Sequence, residues 1–156
     1  MLNIQSIKSK ILELEAFLID KNVSLLGLRE HWLNNIEAEC LQLGGFSTTS
    51  YFARTTSQHG GSLVLQYEGI RLTPVELCRK LCPENHIEIS GISLTHSDIF
   101  FINIYRPPSG ELECFFTNLS FLLHHINVLK NNVLIAGDFN VNFLCDNNLS
   151  TQVCDF

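Results

Sequence analysis

An α/β sandwich is the fold class that three features of this sequence predict. Segments with helical periodicity alternate with short apolar runs of strand length. Two of those runs, 88–94 and 99–105, follow one another across a polar turn, as in a hairpin of buried strands. Hydrophobic residues make up 46% of the chain and charged residues 17%, a balance that favours a packed core over a disordered tail. With 156 residues there is room for one domain with one sizeable core.

Taken in order, 2–5 reads as a short strand and 7–21 as a helix with Ile7, Ile11, Leu14, Phe17 and Leu18 on one face. The apolar run 23–28 predicts a buried strand, and 33–43 a second helix stopped by Gly44-Gly45. Residues 46–53 and 62–66 are extended, separated by a polar loop that ends in His59-Gly60-Gly61. Residues 73–82 are loop or a short helix. After the hairpin, whose turn is His96-Ser97-Asp98, Pro107-Pro108-Ser109-Gly110 breaks the chain and offers Ser109 as an N-cap. The helix over 111–130 has the widest apolar stripe: Leu112, Phe115, Phe116, Leu119, Leu122, Leu123, Ile126 and Leu129. A last buried strand covers 133–136, and few strands remain for a second sheet, so the sandwich reads as incomplete at its C-terminal side.

Composition narrows the function. No segment has the unbroken apolar length needed to span a bilayer, and polar Asn3, Gln5 and Ser6 interrupt any signal-peptide core, so the expectation is an intracellular, nuclear or cytoplasmic protein that is not secreted. The N-x-S triplets at Asn22, Asn118 and Asn148 then carry no glycan. The six cysteines are scattered. Cys78 and Cys82 share a helical spacing but lack a second pair, which favours reduced thiols over a zinc site. The net charge of −6 disfavours non-specific nucleic-acid binding, yet it suits an enzyme that meets phosphate through a divalent cation.

Four polar clusters directly follow or end the strand-like runs: Asn3; Glu30 after Leu25-Leu26-Gly27-Leu28; Tyr105 and Arg106 after Ile102-Asn103-Ile104; and Gly137-Asp138-Phe139-Asn140 after 133–136. Ligands collect beyond the carboxyl ends of strands in layered α/β folds, so the four predict one cleft if their strands run in compatible directions. The residue types fit phosphodiester cleavage. Magnesium takes one or two carboxylates and fills its shell with water and phosphate. Glu30 and Asp138 supply the acids, Asn140 an amide donor and Tyr105 a hydroxyl. Singly each is ambiguous, because an acid after a strand is more often a turn or helix-start residue, and Gly137-Asp138-Phe139-Asn140 also suits a tight turn. The ordered combination is what carries weight.

The blocks LNIQSIKSK, LLGLREHWL, HGGSLVLQ, INIYRPPSG and VLIAGDFNVNFL, from Asn3 to about Leu144, resemble in order and spacing the endonuclease/exonuclease/phosphatase superfamily, and in wording the apurinic-type endonuclease domain of non-LTR retrotransposons. The resemblance implies a four-layered α/β/β/α sandwich of the deoxyribonuclease-I-like type, present as one partial domain over 1–156. It implies magnesium (manganese as the alternative) and DNA as the substrate that is nicked. Carried over by position, it implies Asn3, Glu30, Tyr105, Asp138 and Asn140 as catalytic residues, with Glu30 and Asp138 on the metal. Arg54 and His59 fall in a family-like R…HGG block as structural or peripheral residues. Three departures stand out. Arg29 occupies a position where the family usually has a small hydroxyl residue, Gln5 replaces an acid of repair-type members, and the family's Ser-Asp-His block has no counterpart. Two other readings follow: a phosphatase of the same superfamily acting on small phosphoesters such as phosphoinositides, which the acidic balance disfavours, and a non-catalytic remnant.

Overall fold

The structure is a computed structural model that describes residues 1–95, 97–127, 131–142 and 151. Two twisted sheets pack face to face. The first is built from β1 (Leu2–Asn3), β2 (Leu25–Arg29), β3 (Gln42–Leu43), β4 (Phe46–Phe52) and β5 (Ser62–Tyr67), in the order β1-β2-β5-β4-β3. The second holds β6 (Leu72–Pro74), β7 (Glu88–Leu94), β8 (Ile99–Tyr105) and β9 (Asn132–Asp138), in that order. Among the described residues the second sheet has four strands against five in the first. Within each sheet one pair is parallel, β1 with β2 and β8 with β9, and the other pairs are antiparallel.

Helix α1 (Ile11–Lys21) covers the outer face of the first sheet, with Leu14 and Leu18 packed among Leu26, Leu28, Leu63 and Leu65. Helix α4 (Leu112–Asn127) covers the second, with Phe115, Leu119, Leu122 and Ile126 buried against Ile89, Ile102 and Ile104. Each of those four side chains contributes roughly 1.5–3 kcal/mol through burial. Short helices α2 (Asn35–Glu39) and α3 (Glu76–Lys80) lie in the connections. The layers thus run helix, sheet, sheet, helix, as the resemblance implies.

Several boundaries moved for local reasons. The first helix starts at Ile11 rather than Ile7. Gln5 and Ser6 adopt left-handed φ angles of 43° and 75°, and the Ile7 amide donates to the His31 carbonyl at 3.2 Å, which draws Ile7 into the core as a loop residue. The helix expected over 33–43 shrinks to α2. Asn34 opens it with a reciprocal capping box to Glu37, and Leu43 is recruited into a hairpin with Phe46, so Gly44-Gly45 is a strand turn and not a helix stop. Residues 73–82 divide between β6 and α3. The hairpin 88–94/99–105 matches β7 and β8 in its bounds. The last strand runs on through Gly137 and Asp138. The tail of the 111–130 helix with Leu129, the turn residue His96, and Phe143 and Leu144 lie outside the described residues.

Candidate active site

The space between the sheets changes character along its length. At one end it is apolar, with Val64, Ile92 and Phe101 buried together. Two residues further along β7 and β8, Ser90 stands opposite Asn103. Ser62 Oγ lies 2.7 Å from Ser90 Oγ, and the Asn103 amide donates to Ser62 Oγ at 2.9 Å and to the Leu28 carbonyl at 3.0 Å. This buried seam ties the two sheets by hydrogen bonds. Two residues further still, Glu88 pairs with Tyr105 and Tyr105 with Asp138. Here the gap becomes charged.

At this charged end four strand termini converge. β1 and β2 are parallel, so Asn3 and Arg29 lie side by side and Glu30 follows at once. β8 and β9 are parallel too, so Tyr105 and Asp138 are neighbours. The Asn3 amide nitrogen donates to Glu30 Oε1 at 2.8 Å and to Asp138 Oδ2 at 3.1 Å, joining the first sheet to the second. Tyr105 is buried; burial first, then the charges of Glu30 and Glu88, raise its phenol above the ordinary value, with the Arg54 charge opposing. The four clusters therefore lie together at one end of the gap between the sheets. Asn140 enters differently. Its backbone amide donates to Asp138 Oδ1 at 3.1 Å, while its side-chain amide donates to the Arg106 carbonyl at 2.7 Å.

Local backbone fixes these groups. Glu30 is held in the left-handed region (φ 54°) by its amide on the Gly61 carbonyl at 2.8 Å and by Ser6, whose amide donates to the Glu30 carbonyl at 2.9 Å. Such a conformation is uncommon for a residue with a Cβ and is kept only where surroundings enforce it. A Cβ on Gly137 would fall on the Ile104 carbonyl, so only glycine lets β9 lie close enough to β8 to bring in Asp138. Arg106 clamps the following loop, donating to the carbonyls of Phe139 (2.7 Å), Asn140 (2.9 Å) and Gly110 (2.9 Å).

Sequence reading passed over Glu88. It is fully buried, 2.5 Å from Arg54 Nη2, and accepts the Gly61 amide at 2.5 Å. Burial raises its pKa, and the Arg54 charge opposes that rise. Arg54 is thus a structural tie beneath the site. His59 stacks on Trp32, with ring centroids 4.3 Å apart, at its edge. The one available signal for Glu88 and Asn103 was their place as polar residues on the same face of otherwise apolar strands.

Two carboxylates beside an amide form a hard oxygen donor set, which suits magnesium or manganese with water and phosphate completing the shell. Among the described residues no group of three or more His, Cys, Asp or Glu is arranged to enclose a metal on its own. No helix among them is long and apolar enough to cross a membrane.

No protein-family model matches the chain, and no curated protein matches it in sequence. Solved structures do match in fold. The endonuclease domain of TRAS1, a telomere-specific non-LTR retrotransposon, superposes over 99% of this chain and 66% of its own, with TM-score 0.68 and 12% identity. The 3′ phosphatase NExo from Neisseria, bound to a product DNA hairpin, covers 89% of this chain and 56% of its own (TM-score 0.62, 16% identity). The catalytic domain of Xenopus laevis APE2 covers 94% and 60% (TM-score 0.61, 15% identity). The chain thus spans between about half and two-thirds of the lengths of these three structures.

Proposed function

We propose that this chain, which has the fold of the endonuclease/exonuclease/phosphatase superfamily, is a metal-dependent phosphodiesterase unit that nicks DNA in the manner of a retrotransposon endonuclease. The single observation behind this reading is the convergence of Asn3, Glu30 and Asp138, from three strand ends in two sheets, on one pair of hydrogen bonds, with Tyr105 beside Asp138 in the β8–β9 register. A solitary turn-forming acid at Asp138 has no reason to meet an amide 135 positions away in the chain.

In this reading Asp138 orients a water for in-line attack on phosphorus and takes its proton as the P–O3′ bond breaks; the released 3′-oxygen is protonated from solvent, leaving a 5′-phosphate and a 3′-hydroxyl. Asn3 holds Glu30 and Asp138 in register, and Tyr105 would present its hydroxyl to a phosphate oxygen. Asn140 steadies the Asp138 carboxylate through its backbone amide. Glu30 and Asp138 would hold a magnesium ion, which supplies charge stabilisation for the phosphoryl oxygens. The exposure of Asn3 and the half-burial of Glu30 and Asp138 suit a polymeric substrate laid across the cleft.

The test is conversion of supercoiled plasmid to open circles with magnesium, comparing the chain with Glu30→Gln. Loss of nicking by a factor of about 10² or more is expected, the scale on which general acid–base and metal-site groups act; unchanged nicking would remove Glu30 from the site. A second reading, removal of a 3′-terminal phosphate from DNA, is favoured by the likeness to the Neisseria phosphatase and is decided by the same protein on 3′-phosphorylated oligonucleotides.

A further inference from the structure

Two buried arginines, Arg29 and Arg106, and a third that is nearly so, Arg54, surround the cleft, and they are used differently. Arg54 places Nε and Nη2 on Glu88, at 2.6 and 2.5 Å. Arg106 spends all three guanidinium nitrogens on carbonyl oxygens. Arg29 makes neither kind of tie. It is 8% exposed, and its Nε and Nη1 are enclosed without a hydrogen-bond partner. Leaving buried donors unmet is costly. Its position also differs: it pairs with Asn3 across β1–β2, stands against Ser62 of β5, and directly precedes Glu30. The opposite charges acting on it are those of Asp138 and Glu30, the two carboxylates assigned to the metal above.

A guanidinium stays protonated even when buried. Its charge therefore sits permanently among the carboxylates, whatever else binds. We propose that Arg29 is the resident cation of this cleft, neutralising Glu30 and Asp138 in the metal-free protein and setting how tightly that pair takes up a divalent ion. The inference rests on the proposed site but concerns its affinity and not its chemistry. Attraction between Arg29 and the carboxylates has to be given up, or shared, when a doubly charged ion enters. Repulsion between the guanidinium and a divalent ion held by the same carboxylates is weakly screened at a half-buried site, so it alters affinity by a factor of about ten or more.

The experiment is a manganese titration, followed by electron paramagnetic resonance and by calorimetry, on the whole chain and on Arg29→Met, Arg29→Gln and Arg29→Lys. Circular dichroism and thermal melting establish which variants are folded, and the glutamine variant replaces the methionine one if the latter is not. Arg29→Met or Arg29→Gln is expected to bind manganese at least tenfold more tightly, whereas Arg29→Lys, which keeps the charge, stays within about threefold of the parent. Equal or weaker binding by the folded neutral variants, with clear uptake by the parent, overturns the role of Arg29 and leaves the proposed site standing. Uptake by neither parent nor variants overturns both. Tightened uptake together with nicking unaffected by Glu30→Gln supports the role of Arg29 and sinks the proposed reaction.

Discussion

Asn3 and Asp138, 135 positions apart in the chain, meet through an amide–carboxylate hydrogen bond of 3.1 Å, and the same nitrogen holds Glu30 at 2.8 Å. One neutral amide thus keeps two acids together across the gap between the sheets. Asn3→Ala is expected to slow plasmid nicking about 10- to 100-fold with little change in thermal stability, because Asn3 is exposed and its loss alters geometry at the acids and not core packing. Gel-based rates beside melting curves check this. A variant as fast as the parent would make the bridge incidental.

Arg54 and Glu88 make the opposite kind of pair, enclosed and structural. Arg54→Met leaves a buried carboxylate without its cation and is expected to cost about 3–5 kcal/mol in urea unfolding. Adding Glu88→Gln to Arg54→Met is expected to recover more than half of that loss, since the stranded charge is then gone. Failure of the second change to recover stability would show that packing, not charge, is what Arg54 contributes.

His31 sets a pH dependence. It is fully buried, with Nε2–H donating to the Phe52 carbonyl at 2.9 Å and Nδ1 accepting the Leu33 amide at 3.0 Å. Burial lowers its pKa from 6.5 to about 4. Between those values the unfolded chain binds the proton more readily than the folded one, so the contribution is complete above pH 6.5 and is lost as pH falls toward 4. The limiting loss is about 3 kcal/mol. Denaturant melts between pH 7.5 and 4.5, without divalent ions, should follow that slope, and His31→Gln should flatten it. Glu84 adds a separate, more acidic limb. Burial works against its ionisation, but hydrogen bonds from Thr56 and Thr55 outweigh it and bring the carboxyl from 4.5 down to about 2, so its contribution falls away only below about pH 4.5.

Gly61 is the least replaceable residue of the loop beside the site. Its φ is +97°, and a Cβ there would fall on the His31 ring. The same residue accepts the Glu30 amide and donates to Glu88. Gly61→Ala is expected to destabilise by about 2–4 kcal/mol and to loosen Glu30, seen as weaker manganese uptake at temperatures where the variant is folded. Unchanged stability and uptake would show that the loop can shift freely.

How far the sequence foretold this arrangement depends on the range of the interaction concerned. The hairpin of β7 and β8 and the buried stripe of α4 were legible because period-2 and period-3.6 patterns are local. Leu43 reads as helical because nothing within it discloses its pairing with Phe46. Ile7 looked helical by spacing, yet a hydrogen bond to His31, 24 residues on, decided otherwise. Asn3, Glu30, Tyr105 and Asp138 could be singled out by their position after apolar runs; that they meet follows from the parallel pairing of β1 with β2 and β8 with β9, which only the three-dimensional arrangement supplies. Glu88 was missed for the complementary reason. A lone acid in a strand reads as a solvent-facing residue until its arginine is brought alongside.

The Ser62–Ser90–Asn103 seam has a mechanical consequence. Apolar sheet faces tolerate small sliding displacements, since greasy contacts are nearly interchangeable. A donor that must meet particular oxygens works as a key: a slip of one residue pair would push the Asn103 amide against hydrocarbon. The two sheets are thereby locked in translation just below the cleft, and the span between the jaws carrying Glu30 and Asp138 is inherited from the interior and does not depend on whatever lies in the mouth.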